Sequence, residues 1–288
     1  MTIIADSGST KTAWWISGNK RRVVFTQGIN PFQQDSSEIC AVLSHELLPA
    51  IDTPEGISRI FFYGAGCTRE KAHIVAQALR QTVSATARIS VESDMLGAAR
   101  GLCGRQKGVA CILGTGSNSC LYDGRDIHPG NPALGYILGD EGSGAYIGKR
   151  LVGDILKRQM PSDICQMFFE ETKETQQSII EKVYRASMPN RFLASLSPFC
   201  ARHRSHPAMH RFLIDCFTTF FQRNIASAPW SGELDRCKIH FVGSIAHYYE
   251  EELREAALAC GYAVGNIVQS PLEGMVCYHS EMQDGAER

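Results

Sequence analysis

The residues best suited to chemistry fall in three short turns, each of which follows an apolar run. Asp6-Ser7-Gly8-Ser9-Thr10-Lys11-Thr12 comes first. A glycine permits positive φ, so successive N–H groups can converge there, and the Ser and Thr hydroxyls can complete a ring of donors around phosphate oxygens. Asp6, at the end of the apolar strand, is placed to hold Mg²⁺ through its water shell, because a hard cation already bound to phosphates needs only one or two protein carboxylates. An ordinary hairpin turn with an aspartate cap would use the same residues. A Walker loop is excluded: that motif leads G-x-x-x-x-G-K-[ST] into a helix, and here the turn leads into a strand.

Leu113-Gly114-Thr115-Gly116-Ser117-Asn118 repeats the phosphate-turn chemistry, again straight after an apolar strand. Phe241-Val242-Gly243-Ser244-Ile245-Ala246 is the third, a strand, a small-residue turn and a helix start. Close backbone approach at Gly243 and Ser244 would let a flat adenine ring lie against the chain. Each turn is weak alone; their order along the chain is what a two-lobed nucleotide site requires.

The elements that must position these turns read as α/β. Strands are expected at residues 2–5, 12–16 and 23–25, a helix over 36–48 capped by Ser36 or Ser37, and a buried parallel strand at 59–63 that delivers Gly64-Ala65-Gly66. A helix over 70–83, a strand at 88–91 and a small-residue helix over 95–102 follow. The pattern then restarts with strands at 109–113 and 119–122. Residues 144–228 are mostly helical in pattern, and a last strand at 239–242 runs into a helix ending near Cys260. The restart places a domain boundary between Gly104 and Gly108.

With 288 residues the chain is long enough for two domains, and 44% apolar with 20% charged residues supplies two cores. Lys plus Arg number 29 against 30 Asp plus Glu, a net charge of −1, so no field advertises nucleic acid. The short basic cluster Lys20-Arg21-Arg22 beside Gly18-Asn19 reads as the solvated flank of a hairpin. Eleven cysteines without any C-x-x-C spacing read as reduced thiols. The opening apolar run is too short for a signal sequence, and none reaches the length that spans a bilayer, so a cytoplasmic protein with no membrane partner is expected.

These residues resemble the N-acetylglucosamine kinase and BadF/BadG/BcrA/BcrD ATPase group of the actin-like ATPase superfamily. Asp6 to Thr12 matches its phosphate-1 motif, Ile112 to Ser117 its phosphate-2 motif, and Phe241 to Ala246 its adenosine motif. The resemblance runs from Ile4 to about Glu273. It implies two ribonuclease H-like domains, each a mixed five-stranded sheet with helices, flanking a nucleotide and sugar cleft: residues 1–106, joined by 274–288, and residues 107–273. It implies ATP as co-substrate with Mg²⁺, an amino-sugar acceptor, and a homodimer as the assembly such proteins can form.

The resemblance also assigns roles. Ser7, Gly8, Ser9, Thr10, Lys11, Thr12, Gly114, Thr115, Gly116, Gly243 and Ser244 would bind ATP, with Asp6 on Mg²⁺ through water. Glu92-Ser93-Asp94 is similar to the segment carrying the catalytic aspartate, so Asp94 would accept the proton of the attacking sugar hydroxyl. Locally, Asp94 could equally cap the 95–102 helix. Asn30, in Gln27-Gly28-Ile29-Asn30-Pro31, would contact the sugar together with Gly116, Ser117, Asn118 and Asp94. Asp140, in Gly139-Asp140-Glu141-Gly142-Ser143, would bind sugar hydroxyls, with Glu141 supporting the loop.

N-acetylglucosamine is the acceptor the resemblance favours, with N-acetylmuramic acid as the other, in amino-sugar or cell-wall salvage. Paired carboxylates alone would fit a glycosidase, but the phosphate turns argue against it. The competing reading is an ATPase switch of the dehydratase-activator type, which would need a bridging cysteine such as Cys67 or Cys103. A sugar-sensing regulator is disfavoured by the presence of Asp94 and Asp140.

Overall fold

The computed structural model describes residues 1–8, 10–18 and 21–286. Ser9 and the Asn19-Lys20 part of the expected basic hairpin therefore lie outside the described residues. The chain divides into two compact units, Met1–Gln106 with Asp123–Ile127 and Pro271–Arg288, and Lys107–Tyr122 with His128–Ser270.

In the first unit, strands β1 (Thr2–Ser7), β2 (Lys11–Ile16) and β3 (Arg22–Gln27) form an antiparallel meander. Helix α1 (Ser36–Val42), strand β4 (Arg59–Gly64), helix α2 (Ala72–Thr82), strand β5 (Arg88–Ser93) and helix α3 (Asp94–Cys103) follow. The sheet order is β3-β2-β1-β4-β5, with β4 parallel to both β1 and β5. β1 is apolar without alternation because helices cover both faces of a parallel centre. Its Ile3 and Ala5 join Trp14, Ile39, Leu43, Phe62 and Leu79 in one buried cluster.

Helix α1 is capped by Asp35 and not by Ser36 or Ser37: its carboxylate accepts the Ser37 and Glu38 N–H groups while Glu38 reaches back to the Asp35 N–H. The helix expected to reach residue 48 becomes a π-turn at Leu43–Leu47 and a 3₁₀ turn at Leu48–Ala50. Pro49, which lacks an N–H and crowds the preceding turn, explains that ending.

The second unit repeats the plan. β6 (Gly108–Leu113) and β7 (Ser117–Tyr122) pair antiparallel, and β8 (Ile127–Pro129) lies beside β7. Helices α4 (Gly135–Leu138), α5 (Gly144–Leu156), α6 (Ser162–Thr172), α7 (Gln176–Tyr184), α8 (Pro189–Ser195), α9 (Ser197–Arg202) and α10 (Pro207–Phe220) intervene. Strand β9 (Ile239–Val242), helices α11 (Ser244–Tyr248) and α12 (Glu250–Ala259) and strand β10 (Val264–Val268) complete it. The order β10-β9-β6-β7-β8, with β9 parallel to β6 and β10, mirrors the first sheet strand for strand. A phenylalanine-rich core that includes Phe168, Phe199, Phe217, Phe220 and Phe241 backs it.

Sequence patterning missed β8 and β10. β8 has three residues and ends in proline. In β10, Gly265 and Asn266 are poor strand formers, and the register with β9 shifts between Val264 and Ile267.

The chain returns to the first unit in helix α13 (Leu272–Ala286). There the His279 ring stacks on Phe61 at 3.7 Å, and its Nε2 lies 2.8 Å from the Tyr63 hydroxyl, to which Arg100 also donates at 2.8 Å. Burial, reinforced by Arg100 and Arg105, pushes the imidazole down to about 4, so it is neutral at pH 7.

Candidate active site

The register of the first sheet aligns Ser7 with Gly64 and Gly64 with Ser93. The carboxyl ends of β1, β4 and β5 thus deliver Asp6, the Gly64-Ala65-Gly66 loop and Asp94 to one edge, the end of a parallel sheet where ligands bind in open α/β folds.

The first turn closes with a hydrogen bond from the Gly8 N–H to the Lys11 carbonyl at 3.0 Å. Gly8, Thr10 and Lys11 are exposed, and the Lys11 ammonium sits 5.0 Å over the Phe25 ring. Ser7 and Thr12 point inward. The Ser7 hydroxyl donates to the Ile29 carbonyl and accepts the Ile29 N–H, both at 3.0 Å, and lies 2.7 Å from the Thr12 hydroxyl. Thr12 also reaches the Gln27 carbonyl at 3.2 Å, and the Gly28 N–H donates to Thr10 at 3.1 Å. These two side chains brace the turn, which leaves Gly8, Thr10 and Lys11 as its exposed residues. The bracing makes the 7–12 turn and the 27–30 segment one structural piece. Asp6 is half-buried between its register partners Ala13 and Tyr63.

Asn30 is fixed from two sides. Its side-chain oxygen accepts the Phe32 N–H at 2.9 Å, and its own N–H donates to Gln34 at 2.8 Å. It also lies against Gly66, at φ +77, where an added Cβ would stand 3.0 Å from the Asn30 Cγ and from the Phe32 ring.

Asp94 is the first residue of α3, and the cap is Ser93, whose hydroxyl accepts the Leu96 N–H at 3.2 Å. The capping alternative for Asp94 is thereby replaced. Its Oδ1 accepts the Met95 N–H at 2.8 Å. Burial pushes the Asp94 carboxyl above the usual carboxylate range against that bond. Cys67 lies close enough to feel it: its thiol is pushed up to about 12, by burial first and by the Asp94 charge second.

In the second unit, β6 ends at Leu113 opposite Ser117. The Gly114 N–H donates to Gly116 at 3.0 Å, and the leading N–H groups of α5, from Gly144 and Ala145, donate to the carbonyls of Gly114 and Thr115 at 2.8 and 3.1 Å. Those carbonyls are turned away and the Gly114 N–H is spent within the turn, so the Thr115 and Gly116 amides are what the turn can offer an anion. Gly243, the cap of α11, packs its backbone on Leu113, and Ser244 opens the helix exposed. The 113–118 turn and the 241–246 segment therefore meet.

Asp140 adopts φ +56, and its carboxylate faces Gly116 and accepts the Ser117 N–H at 3.4 Å. Burial, and secondarily Glu141, push it up, while the Ser117 N–H and Lys149 hold it down. Glu141 is buried on Arg223 at 2.7 Å and Asn224 at 3.2 Å, which makes it a brace. Asn118 accepts the Ser119 N–H at 2.9 Å.

No family model matches the chain, and no curated protein matches it. The solved structure of a Porphyromonas gingivalis protein provisionally named an N-acetylglucosamine kinase is 47% identical, covers 97% of this chain and 98% of that one, and superposes with a TM-score of 0.91. The chain belongs to the N-acetylglucosamine kinase family. With that membership it is an ATP-dependent sugar kinase of the two-domain actin-like ATPase fold. A Chromobacterium violaceum protein with the same provisional name is similar at 17% identity, 96% and 98% coverage and a TM-score of 0.69. The ROK family glucokinase of Streptomyces griseus, solved with glucose and AMPPNP, shares the fold at 12% identity, 95% and 97% coverage and a TM-score of 0.50.

In this N-acetylglucosamine kinase family member, sequence reasoning missed Lys149, Arg223 and the contact of Gly66 with Asn30. The glycines after β4 carried a signal; Arg223, inside a helical stretch, carried none. A cavity of about 330 Å³ at the opposite end of β1, lined by Thr2, Ile4, Trp15, Ser17, Arg21 and His279 among others, contains none of the predicted site residues. No helix among the described residues is long and apolar enough to cross a membrane.

Proposed function

We propose that this kinase transfers the γ-phosphoryl group of ATP to a hydroxyl of an N-acetylated amino sugar, N-acetylglucosamine first and N-acetylmuramic acid second, in amino-sugar or cell-wall salvage. The observation that carries the reading is the alignment of Ser7, Gly64 and Ser93, which sets a carboxylate with a raised pKa on the edge that also holds the first phosphate turn and Asn30.

Asp94 receives the proton of the attacking hydroxyl. A base whose pKa lies nearer the working pH drives that transfer better than an ordinary surface aspartate. Asn30 offers donor and acceptor to the sugar, and Asp140 accepts from its hydroxyls beside Ser117 and Asn118. Thr10, Lys11 and the 115–116 amides hold the phosphates, with Gly8 and Gly114 shaping the two turns and Gly243 and Ser244 against the adenosine. The donor set fits Mg²⁺: one half-buried carboxylate, Asp6, stands next to a phosphate turn, and an outer-sphere magnesium needs no more. When bound, the ion neutralises charge on the phosphates. Most of the acceleration comes from positioning and electrostatics.

The dehydratase-activator reading is not favoured. It needs a reactive bridging cysteine, and the Cys67 thiol is buried, with its pKa raised by that burial and by Asp94. ADP release from Mg·ATP, measured with N-acetylglucosamine, N-acetylmuramic acid, glucosamine, glucose or no sugar, tests the proposal. Stimulation by an acetamido sugar is expected; hydrolysis indifferent to every sugar would overturn it.

A further inference from the structure

Lys149, on α5, belongs to no motif, yet it reaches back to the segment that precedes Asp140. Its Nζ donates to the Tyr136 carbonyl at 2.6 Å and to the Ile137 carbonyl at 3.3 Å. Both carbonyls belong to the short helix α4, whose apolar side chains Ile137 and Leu138 are exposed and give it little packing of its own. The ammonium, half-buried, also lies 5.6 Å from the Tyr146 ring centroid.

Among the described residues, the charged side chains that act on Asp140 are Glu141 and Lys149. Glu141 follows it in the chain and raises its pKa; Lys149 on α5 opposes that rise; the Ser117 N–H from β7 does the same. Arg223, from the turn after α10, is engaged by Glu141 at 2.7 Å. Among the described residues, Lys149 is thus the side chain whose positive charge lowers the Asp140 pKa. In return, burial pushes the lysine down while Glu141 and Asp140 hold it up.

We infer that Lys149 is a positioning residue for the sugar: its ammonium pins the 136–137 backbone and sets a positive charge on the segment leading into Asp140, holding that acceptor in the geometry that sugar hydroxyls require. The inference rests on the assignment of Asp140 to the sugar. A purely structural lysine would fix the backbone without tuning the carboxylate, and the charge separates the two roles.

Lys149→Gln keeps N–H donors and removes the charge. The sugar KM is expected to rise on the order of tenfold with the ATP KM unchanged, and the acidic limb of sugar affinity, read as Kd in an Asp94→Asn background so that the base does not contribute, to move to higher pH, because Asp140 then binds its proton more tightly. Lys149→Arg keeps the charge but changes the donor geometry, so its sugar KM rises while its acidic limb stays in place. A folded Gln variant with wild-type sugar KM and acidic limb overturns the inference. Should the Gln variant not fold, an Arg variant with a displaced limb and unchanged KM does so. Asp140→Asn is measured alongside: if it leaves the sugar KM unchanged, the assignment of Asp140 fails; if it raises KM and Lys149→Gln does not, only the role of Lys149 fails.

Discussion

Gly243 presses its backbone on Leu113, the last residue of β6, at φ +121, and a Cβ added there would stand 2.7 Å from the Leu113 carbonyl carbon. The segment proposed to hold the adenosine and the turn proposed to hold the phosphates are held together by that contact. Gly243→Ala should cost about 2–4 kcal/mol, from the unfavourable φ and the displaced strand end. Thermal unfolding and the ATP KM would report it: a lowered Tm with a raised ATP KM is expected, and an alanine variant matching wild type in both would refute the contact.

Asp94→Asn removes the proposed proton acceptor while preserving shape. A positioned base contributes roughly 10²–10⁴-fold, so kcat should fall by about that factor with the sugar Kd nearly unchanged. Calorimetric titration separates binding from turnover, and equal loss of both would contradict the role. Stability moves the other way. The folded carboxyl has a pKa above its unfolded value, so ionisation at neutral pH weakens the fold. The Asn variant should therefore melt higher than wild type at pH 7, the signature of a carboxylate kept for function.

His279 predicts an acid-sensitive fold. Its pKa falls from an ordinary 6.5 to about 4 in the folded chain, so between those values the unfolded chain binds more protons. Stability then rises with pH through that window and is lost as pH falls through it, by an amount on the order of a few kcal/mol. His279→Phe, which keeps the stacking on Phe61, should flatten that slope in urea melts taken from pH 4 to 7. An unchanged slope would mean that other groups carry the acid sensitivity.

Most of the fold and part of the site can be read in the sequence, and physical reasons divide the two. Apolar strands such as Ile3-Ile4-Ala5 and Val109 to Leu113 announce themselves because both faces are buried, and the strand–turn–strand restart marks the second unit. β10 stays hidden because Gly265 and Asn266 contradict strand propensity, and only the sheet edge supplied by β9 overrides them. The turns were legible as glycine and hydroxyl clusters, but not which hydroxyls they turn inward. Ser7 and Thr12 look like phosphate ligands until their partners at Ile29 and Gln27 appear, and those are long-range contacts. Lys149 and Arg223 had no local pattern to betray them.

The contact of Gly66 with Asn30 gives the sharpest test of the sugar side. Asn30 keeps its orientation through Phe32 and Gln34, and a Cβ on Gly66 would drive into its side-chain amide. Gly66→Ala should therefore raise the sugar KM by about 10- to 100-fold without touching ATP, and lower Tm modestly for the alanine at φ +77. Asn30→Ala should raise the sugar KM by a similar factor. Because both act through one side chain, the double variant should be little worse than Asn30→Ala alone. Additive effects would show that Gly66 acts on the site by another route, and an unchanged KM in Asn30→Ala would remove Asn30 from the sugar altogether.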